Sequence, residues 1–572
     1  MSKVDITVRE LVNRVNRGEL RLPEMQRRYV WSATRVRDLL DSLYRGYPSG
    51  TILVWETDED VADTDLAVGT VQSPATSQKS LLLDGQQRIT SLAAVLEGRP
   101  VVVRGRKRPI DILFNLEHPD GPPLEALESE EEDAIIKTIV ETEDEESAKR
   151  DIQEELKRRT FVVATGSLAN DPLWVKVSDI FSLSESQILR RVGITSEDER
   201  WDRYAERLKK VKSIENYQYV MNVLDKSMHY EEVTEIFVRV NSLGVKLRGT
   251  DLALAQVTAK WRGFMKIMED FAGSFANKQD GDYIIEKGVA IRLMIVFATK
   301  QSRFDTVSRL SKERLEEAWE QTKEGLQFAV NFMRSNGGFD FMQHLGSPFL
   351  LIPIAVYAQL RNGNLSHEEE QGLLKWVYYA HMRSHYSMGS SETWLDADLR
   401  VIFQKASAER LLDSLQAHVK KFELDKRDVE GKGTNSPLFA MLYIVLKNKD
   451  AKDWWSGMNI SYRHDGHSHS LQYHHIFPKS LLRDQGYEPR TINQIANMAF
   501  ITGKANRKIS NKAPATYIAN DILPKRGTEA LASQLVPEDA EMWKLENYES
   551  FLDYRQRWIT EEINSFLAKF DQ

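Results

Sequence analysis

The chain has 572 residues, 41% of them hydrophobic and 28% charged, with no cysteine and a formal net charge of −8. That length exceeds one compact core and predicts roughly two to four domains, while the missing thiols exclude disulfides, a thiolate nucleophile and Cys-based zinc sites. No apolar run approaches the roughly 18 residues of a membrane span, and Met1-Ser2-Lys3-Val4 opens no signal pattern, so the expectation is a cytoplasmic protein without a membrane partner.

The negative total disfavours a passive DNA-coating protein, whose affinity would rest on phosphate contacts. The charge is unevenly spread, however. Eleven acidic residues lie between Glu125 and Glu146 with only Lys137 against them, whereas basic residues gather from Arg21 to Arg45 and from Lys504 to Lys525. An acidic average with local basic patches fits an enzyme that meets DNA at defined places.

In chain order, Val8 to Val15 reads as a helix, and so does Thr34 to Tyr44, with apolar residues at Val36, Leu39, Leu40 and Leu43. Gly50 to Trp55 and Ser80 to Leu83 read as strands, Ile89 to Leu96 as a helix, and residues 101–115 as a strand pair around Gly105. A charged insertion occupies about 118–155; its charge block predicts a solvated helix or loop. From about Ser182 to Lys421 helices dominate. Glu430 to Pro437 reads as a linker, and a last α/β unit follows. The expected divisions are therefore about 1–180, 181–429 and 430–572.

Two places carry chemistry. Leu81-Leu82-Leu83-Asp84-Gly85-Gln86-Gln87-Arg88-Ile89 is a buried strand, a polar turn with glycine, then a helix. A helix N-terminus presents free N–H groups and attracts phosphate. Arg88 could clamp a phosphate bidentately, Asp84 could hold a metal or orient a water, and Gln86 and Gln87 could bond a ribose or phosphate. The plainer alternative is a capped helix with Arg88 paired on the surface. A second cluster, Leu22-Pro23-Glu24-Met25-Gln26-Arg27-Arg28-Tyr29-Val30-Trp31, sets polar groups beside aromatics, and a third surrounds Asn241 and Gly244.

The other place is Tyr473-His474-His475-Ile476-Phe477-Pro478, followed by Asn497 and by Asn506-Arg507-Lys508. The order reads as strand, loop, strand, helix. Phosphodiester hydrolysis needs an activated water, for which a histidine of near-neutral pKa is suited, and charge stabilisation at the leaving oxygen, for which a divalent metal is suited. His475, at the end of a strand, is assigned as general base. His474 points to the opposite side of an extended segment, as metal ligand or support. Asn506 offers a carboxamide oxygen to the metal, and imidazole 475 and carboxamide 506 are expected to converge on the ion. Asn497 orients the base or ties the strands, and Lys504, Arg507 and Lys508 hold DNA phosphates. His464, His467 and His469 lie just upstream, so five of twelve histidines fall within twelve residues; a polar loop is expected there, with a separate zinc site as the alternative.

The N-terminal clusters resemble the DUF262 family, whose signature Asp-Gly-Gln-Gln-Arg turn is present as Asp84 to Arg88 and whose Pro-x-x-Gln-Arg-x-Tyr-x-Trp element is present as Pro23, Gln26, Arg27, Tyr29 and Trp31. That resemblance covers roughly 1–255. It implies a ParB/sulfiredoxin-like fold with Asp84, Gly85, Gln86, Gln87 and Arg88 as a site that binds and hydrolyses a nucleoside triphosphate (ATP, GTP or other), joined by Gln26, Arg27 and Asn241. The C-terminal pattern resembles the HNH (ββα-metal) nucleases, specifically the DUF1524 domain, over roughly 435–545. Many relatives carry Asp where this chain has His474, and imidazole suits Mn²⁺, Co²⁺, Ni²⁺ or Zn²⁺ better than Mg²⁺.

The two together resemble the GmrSD-type, or type IV, restriction enzymes of bacteria. The resemblance implies an α+β multi-domain protein: a ParB/sulfiredoxin-like N-terminal domain, a helical middle and a C-terminal ββα-metal domain. It also implies an NTP-stimulated, Mg²⁺- or Mn²⁺-dependent endonuclease that cuts double-stranded DNA bearing methylated, hydroxymethylated or glucosylated cytosine, and it allows a homodimer. The alternative is a nucleotide-dependent sensor of DNA modification, or a phosphorothioate-sensing defence protein, with weak or no cutting of its own.

Overall fold

The structure, a computed structural model, describes residues 1–24, 31–58, 63–65, 79–99, 103, 109–121, 158–164, 168–243, 249–275, 285–340, 344–387, 390–419, 421–461 and 471–571. Gln26, Arg27, the expected turn at Gly105, most of the acidic insertion, and His464, His467 and His469 lie outside the described residues, as does the side chain of Asn241. The backbone forms two compact units, Met1–Met265 and Lys266–Gln572.

The first unit is built on a mixed sheet of strands β1 (Ser2–Thr7), β2 (Leu20–Pro23), β3 (Ile52–Thr57), β4 (Asp63–Asp65), β5 (Lys79–Asp84) and, much later in the chain, Gln218–Leu224. In spatial order the last of these lies between β1 and β3, and β5 and β2 follow, with β4 at the edge. Ile52-Leu53-Val54-Trp55 and Leu81-Leu82-Leu83 are unbroken apolar runs, and successive strand residues face opposite sides. Both faces must therefore be covered. Ile52, Val54 and Leu82 join one core with helices α1 (Val8–Asn16), α2 (Ala33–Tyr44) and α3 (Gln86–Leu96). Leu53, Trp55, Leu81 and Leu83 face the other way, against Tyr230, Val233 and Phe237 of helix Tyr230–Leu243 and Ala255 of helix Gly249–Lys260. A small antiparallel sheet, Phe161–Val163, Ile112–Asn115 and Trp174–Lys176, adds a further layer.

Glu24, in the second sequence cluster, has a structural task. Its carboxylate accepts from the backbone N–H of Gly263 at 2.8 Å and of Met265 at 2.7 Å.

The second unit is mainly helical. The helix Lys287–Thr299 is apolar nearly all round and is buried; Lys312–Ser335 is the longest, and His367–Met382 starts with a capping box from Ser366 and Glu369. The segment expected to be a linker is instead tied down. The Lys432 carbonyl accepts from Ile495 N–H at 2.7 Å, Gly433 bridges to Gln494, and Ser436 caps helix Pro437–Asn448. Its Gly and Ser residues serve bridging and capping, which composition alone does not separate from flexibility.

Among these helices lies an antiparallel pair, Leu471–His475 with Met498–Thr502, in which His474 opposes Ala499 and His475 opposes Met498. The helix Gly503–Ile509 begins at once, capped by Thr502. A lone two-stranded pair is marginal in water, and side chains from elsewhere complete its far edge. Gln534 accepts from Phe500 N–H at 3.1 Å and donates to its carbonyl at 2.6 Å, and Asp453 accepts from Thr502 N–H at 2.8 Å. Arg555, wholly buried on helix Tyr548–Ala568, donates to the carbonyls of Ala496, Met498, Leu535 and Gln534 at 2.5 to 2.9 Å. Burial lowers its pKa to about 9, and the group stays charged at neutral pH.

Candidate active site

Strand alternation sends His474 and His475 to opposite faces. The His474 ring is buried, with Nδ1 2.8 Å from Asn506 Oδ1, and Asn506 Nδ2 donates to Gln472 Oε1 at 2.9 Å. That second bond fixes which end of the carboxamide faces the imidazole. The His475 ring meets a different residue, with Nε2 3.0 Å from Asn493 Oδ1, while Asn493 Nδ2 donates to the Pro489 carbonyl at 2.9 Å. The carboxamide of Asn506 thus meets imidazole 474, not imidazole 475 as the expected convergence had it, because the period of two turns the neighbouring ring away.

The tautomers follow. Asn493 Oδ1 can only accept, so His475 Nε2 carries the proton and Nδ1 keeps its lone pair. Among the described residues Nδ1 of His475 makes no hydrogen bond to protein. Burial brings both His474 and His475 down to about 4, with the carboxamide bonds opposing the shift. Both rings are therefore neutral near pH 7. Lys479, one turn after His475, is exposed at the surface, and partial desolvation of its ammonium lowers its pKa.

Asn497 is fully buried. Its Oδ1 accepts from Phe477 N–H at 2.9 Å, and its Nδ2 donates to the carbonyls of Phe477 and Ile492 at 3.1 and 3.0 Å. It ties the turn after His475 to the entry of the second strand, so any part it has in catalysis is exerted through the backbone. Lys504, Arg507 and Lys508 are exposed on helix Gly503–Ile509, spaced to share one face. Asn506 lies on the same short helix, half-buried.

In the first unit, Gly85 stands at φ 97° between β5 and α3. A Cβ there would meet Ile52 Cδ1 at 2.5 Å, so glycine is required by both conformation and space. Arg88 donates to the carbonyls of Ser49 at 2.5 Å and Thr51 at 2.7 Å, and to Asp84 Oδ2 at 3.2 Å. The guanidinium expected to grip a phosphate is engaged by the protein itself, since the start of β3 passes within reach. Gln87 Oε1 accepts from Trp31 N–H at 3.1 Å, which brings the end of the second sequence cluster onto the turn. Gln86 is buried, and Asp84 remains partly exposed.

Residues 8–258 match the family described as GmrSD restriction endonuclease, N-terminal domain, and residues 417–560 match GmrSD restriction endonucleases, C-terminal domain. The chain belongs to the GmrSD restriction endonuclease family. An uncharacterized protein of Methanocaldococcus jannaschii is 21% identical over 628 residues, covering 98% of each chain.

Membership of the GmrSD family makes the chain a nuclease of phage defence whose substrate is DNA. Both halves of the GmrSD pair are present, one in each compact unit. No helix among the described residues is long and apolar enough to cross a membrane. Sequence reasoning missed three residues at this GmrSD site. Asn493 and Gln472 hold the two carboxamide bonds, and Lys479 sits exposed near His475. The spacing of Lys479 four residues after His475 could have drawn attention to it if the turn had been read as entering a helix, Lys479–Asp484. Asn493 carries no such signal.

Among the described residues no group of three or more His, Asp or Glu side chains could hold a metal. The donors that face one another are an imidazole and a carboxamide, His474 and Asn506, with His474 Nε2 buried and lacking a hydrogen-bond partner. As placed the two are hydrogen-bonded to each other, so a divalent ion held by both would replace that bond, with the His474 proton moved from Nδ1 to Nε2.

Proposed function

We propose that this chain is an NTP-stimulated, divalent-metal-dependent endonuclease that cuts DNA carrying modified cytosine, with His475 as general base. The observation that carries the reading is the His475 ring, whose Nε2–H is held by Asn493 and whose Nδ1 lone pair is left for a water. A neutral imidazole fixed in one tautomer is the group that proton abstraction from water requires. The arrangement of two strands and a helix around it supports a ββα-metal fold. His474 and Asn506 would hold the metal, which when bound would neutralise charge on the phosphate and the leaving oxygen. Lys504, Arg507 and Lys508 would bind flanking phosphates as exposed point charges.

In the first unit the turn Asp84-Gly85-Gln86-Gln87 at the start of α3 supports a nucleotide site on a ParB/sulfiredoxin-like scaffold. Asp84 and the N–H groups of the turn would face the triphosphate, and Arg88 would brace the turn against Ser49 and Thr51. The test is cleavage of unmodified, methylated, hydroxymethylated, glucosylated and phosphorothioated DNA with Mg²⁺ or Mn²⁺, with and without NTP. Metal-dependent cutting of a cytosine-modified DNA, accelerated by NTP and abolished by His475→Ala, is expected; cutting by His475→Ala at the parent rate would overturn the assignment.

Among the described residues no carboxylate joins His474, which favours one second reading, a nucleotide-dependent sensor of modified or phosphorothioated DNA with weak or no cutting. It is chosen if the protein binds such DNA and leaves it intact in every metal.

A further inference from the structure

Beside the first strand of the nuclease site, Leu471–His475, lies a cleft of about 560 Å³. Its walls include His344, Thr434, Asn435, Phe439, Gln472 and Tyr473. Among the described residues none of the side chains that line it is an acid, a lysine or an arginine, and burial holds His344 at about 4, hence neutral. Such walls offer nothing to a phosphate. They offer aromatic faces, the Asn435 carboxamide and the Thr434 hydroxyl, which is the chemistry that recognises a planar, neutral, hydrogen-bonding ring.

The aromatic part is already ordered. Tyr473 meets Phe439 edge-on at 5.6 Å and 88°, and Phe439 stacks on Phe500 of the partner strand at 5.0 Å and 27°. Tyr473 nonetheless leaves 48% of its surface exposed. A large ring held at one edge and open elsewhere is a ready stacking platform. Its place in the strand matters equally. Tyr473 and His475 share a strand face, about 6.6 Å apart, roughly the length of one nucleotide. Gln472, also a wall of the cleft, accepts from Asn506, which in turn meets His474.

We propose that this cleft receives one nucleobase of the DNA strand being cut, extruded from its stack and laid against Tyr473, with Asn435 and Thr434 bonding its edge. The inference rests on the nuclease reading and adds a base-binding pocket next to the scissile phosphate. The cleft falls within the size of ligand pockets, about 300–1,000 Å³, and has room for a pyrimidine with a bulky 5-substituent. Recognition of the modification would then occur in the cutting unit itself.

The experiment uses the full chain in EDTA, so that no cutting intervenes, with a duplex oligonucleotide carrying 5-iododeoxyuridine. After irradiation, peptide mapping is expected to place the adduct on Tyr473 or Phe439; adducts elsewhere only, or none, overturn the proposal. In parallel, cleavage kinetics on a cytosine-modified duplex are compared. Loss of one base–aromatic stack predicts a rise in KM of about 5- to 150-fold for Tyr473→Leu, most of it recovered by Tyr473→Phe, while Tyr554→Leu, an equally exposed tyrosine on helix Tyr548–Ala568, leaves KM unchanged. An unchanged KM for Tyr473→Leu refutes the cleft and leaves the nuclease reading standing. An adduct on Tyr473 in a chain that cuts no DNA does the reverse.

Discussion

The imidazole of His474 and the carboxamide of Asn506 stand 2.8 Å apart, Nδ1 to Oδ1, with Gln472 holding the amide in place. An ion bound by both would take the place of this hydrogen bond, with the imidazole proton moved to Nε2, and at about 2.1 Å from each its ligands would stand only slightly farther apart. Asn506→Ala and His474→Ala are expected to raise the Mn²⁺ concentration for half-maximal cleavage about tenfold or more, whereas Asn506→Asp, which adds a carboxylate, lowers it for Mg²⁺. Metal titrations of cleavage, with calorimetric binding of Mn²⁺ alone, decide the matter; equal metal requirements in all three variants would remove the pair from the ion site.

Asn493 is expected to act as a positioning residue. Asn493→Ala frees the His475 ring to rotate and exchange tautomers, and kcat is expected to fall about 10- to 100-fold with KM for DNA little changed. Asn493→Asp keeps the acceptor and should restore most of kcat while shifting the acid limb of the pH–rate profile upward, since a carboxylate favours imidazolium. A loss of thermal stability without the split between kcat and KM would mark Asn493 as a plain structural tie.

At the N-terminal turn, Asp84 and Arg88 should separate. Asp84→Ala is expected to abolish NTP hydrolysis with the thermal midpoint nearly unchanged. Arg88→Ala leaves the Ser49 and Thr51 carbonyls without their donor and should cost on the order of 1–3 kcal/mol of stability. Gly50→Ala should resemble Arg88→Ala, because its Cβ would meet Arg88 Nη1 at 2.5 Å in a backbone of φ 91°. Phosphate-release assays and thermal unfolding on the same preparations give the two readings.

Stability should depend on pH through His381. Burial takes its pKa from 6.5 to about 4; Nδ1 accepts from Gly346 N–H at 3.0 Å, and Nε2–H donates to the Pro437 carbonyl at 3.0 Å. The unfolded chain takes up this proton near pH 6.5 and the folded chain only near 4. The stabilisation is therefore complete above about pH 7 and lost as pH falls from 6.5 towards 4, on the order of 3 kcal/mol in full. Thermal unfolding from pH 8 to 4.5 should show a midpoint that is flat and then declining, with a shallower decline in His381→Gln.

Arg555→Met should be more damaging than any substitution of an exposed arginine. Four backbone carbonyls lose their donor in the interior, at a cost on the order of 3 kcal/mol or more. Hydrogen exchange at residues 498–502 reports it directly; unchanged protection there would disprove the role.

Much of this was readable beforehand. The unbroken runs at 52–55 and 81–83 announce a sheet covered on both faces, and the histidine pair at a strand end, with asparagines at fixed distances, announces strand–loop–strand–helix. What escaped reading depends on partners remote in the chain. Arg88 finds its carbonyls at Ser49 and Thr51, and the strand edge at Phe500 and Thr502 is completed by Gln534 and Asp453. Neither leaves a local pattern. The exchange of partners between His474 and His475 was implicit in the period of two, yet which ring meets Asn506 depends on how the helix Gly503–Ile509 folds back, and spacing does not specify that.

Arg555 carries one more implication. Its guanidinium lies among carbonyls from residues 496, 498, 534 and 535, and it is supplied by the final long helix. A ribosome must translate that helix before the catalytic strands have their keystone. A polypeptide ending upstream of it would leave the carbonyls of Ala496 and Met498, at the entry to the second strand, without their internal donor.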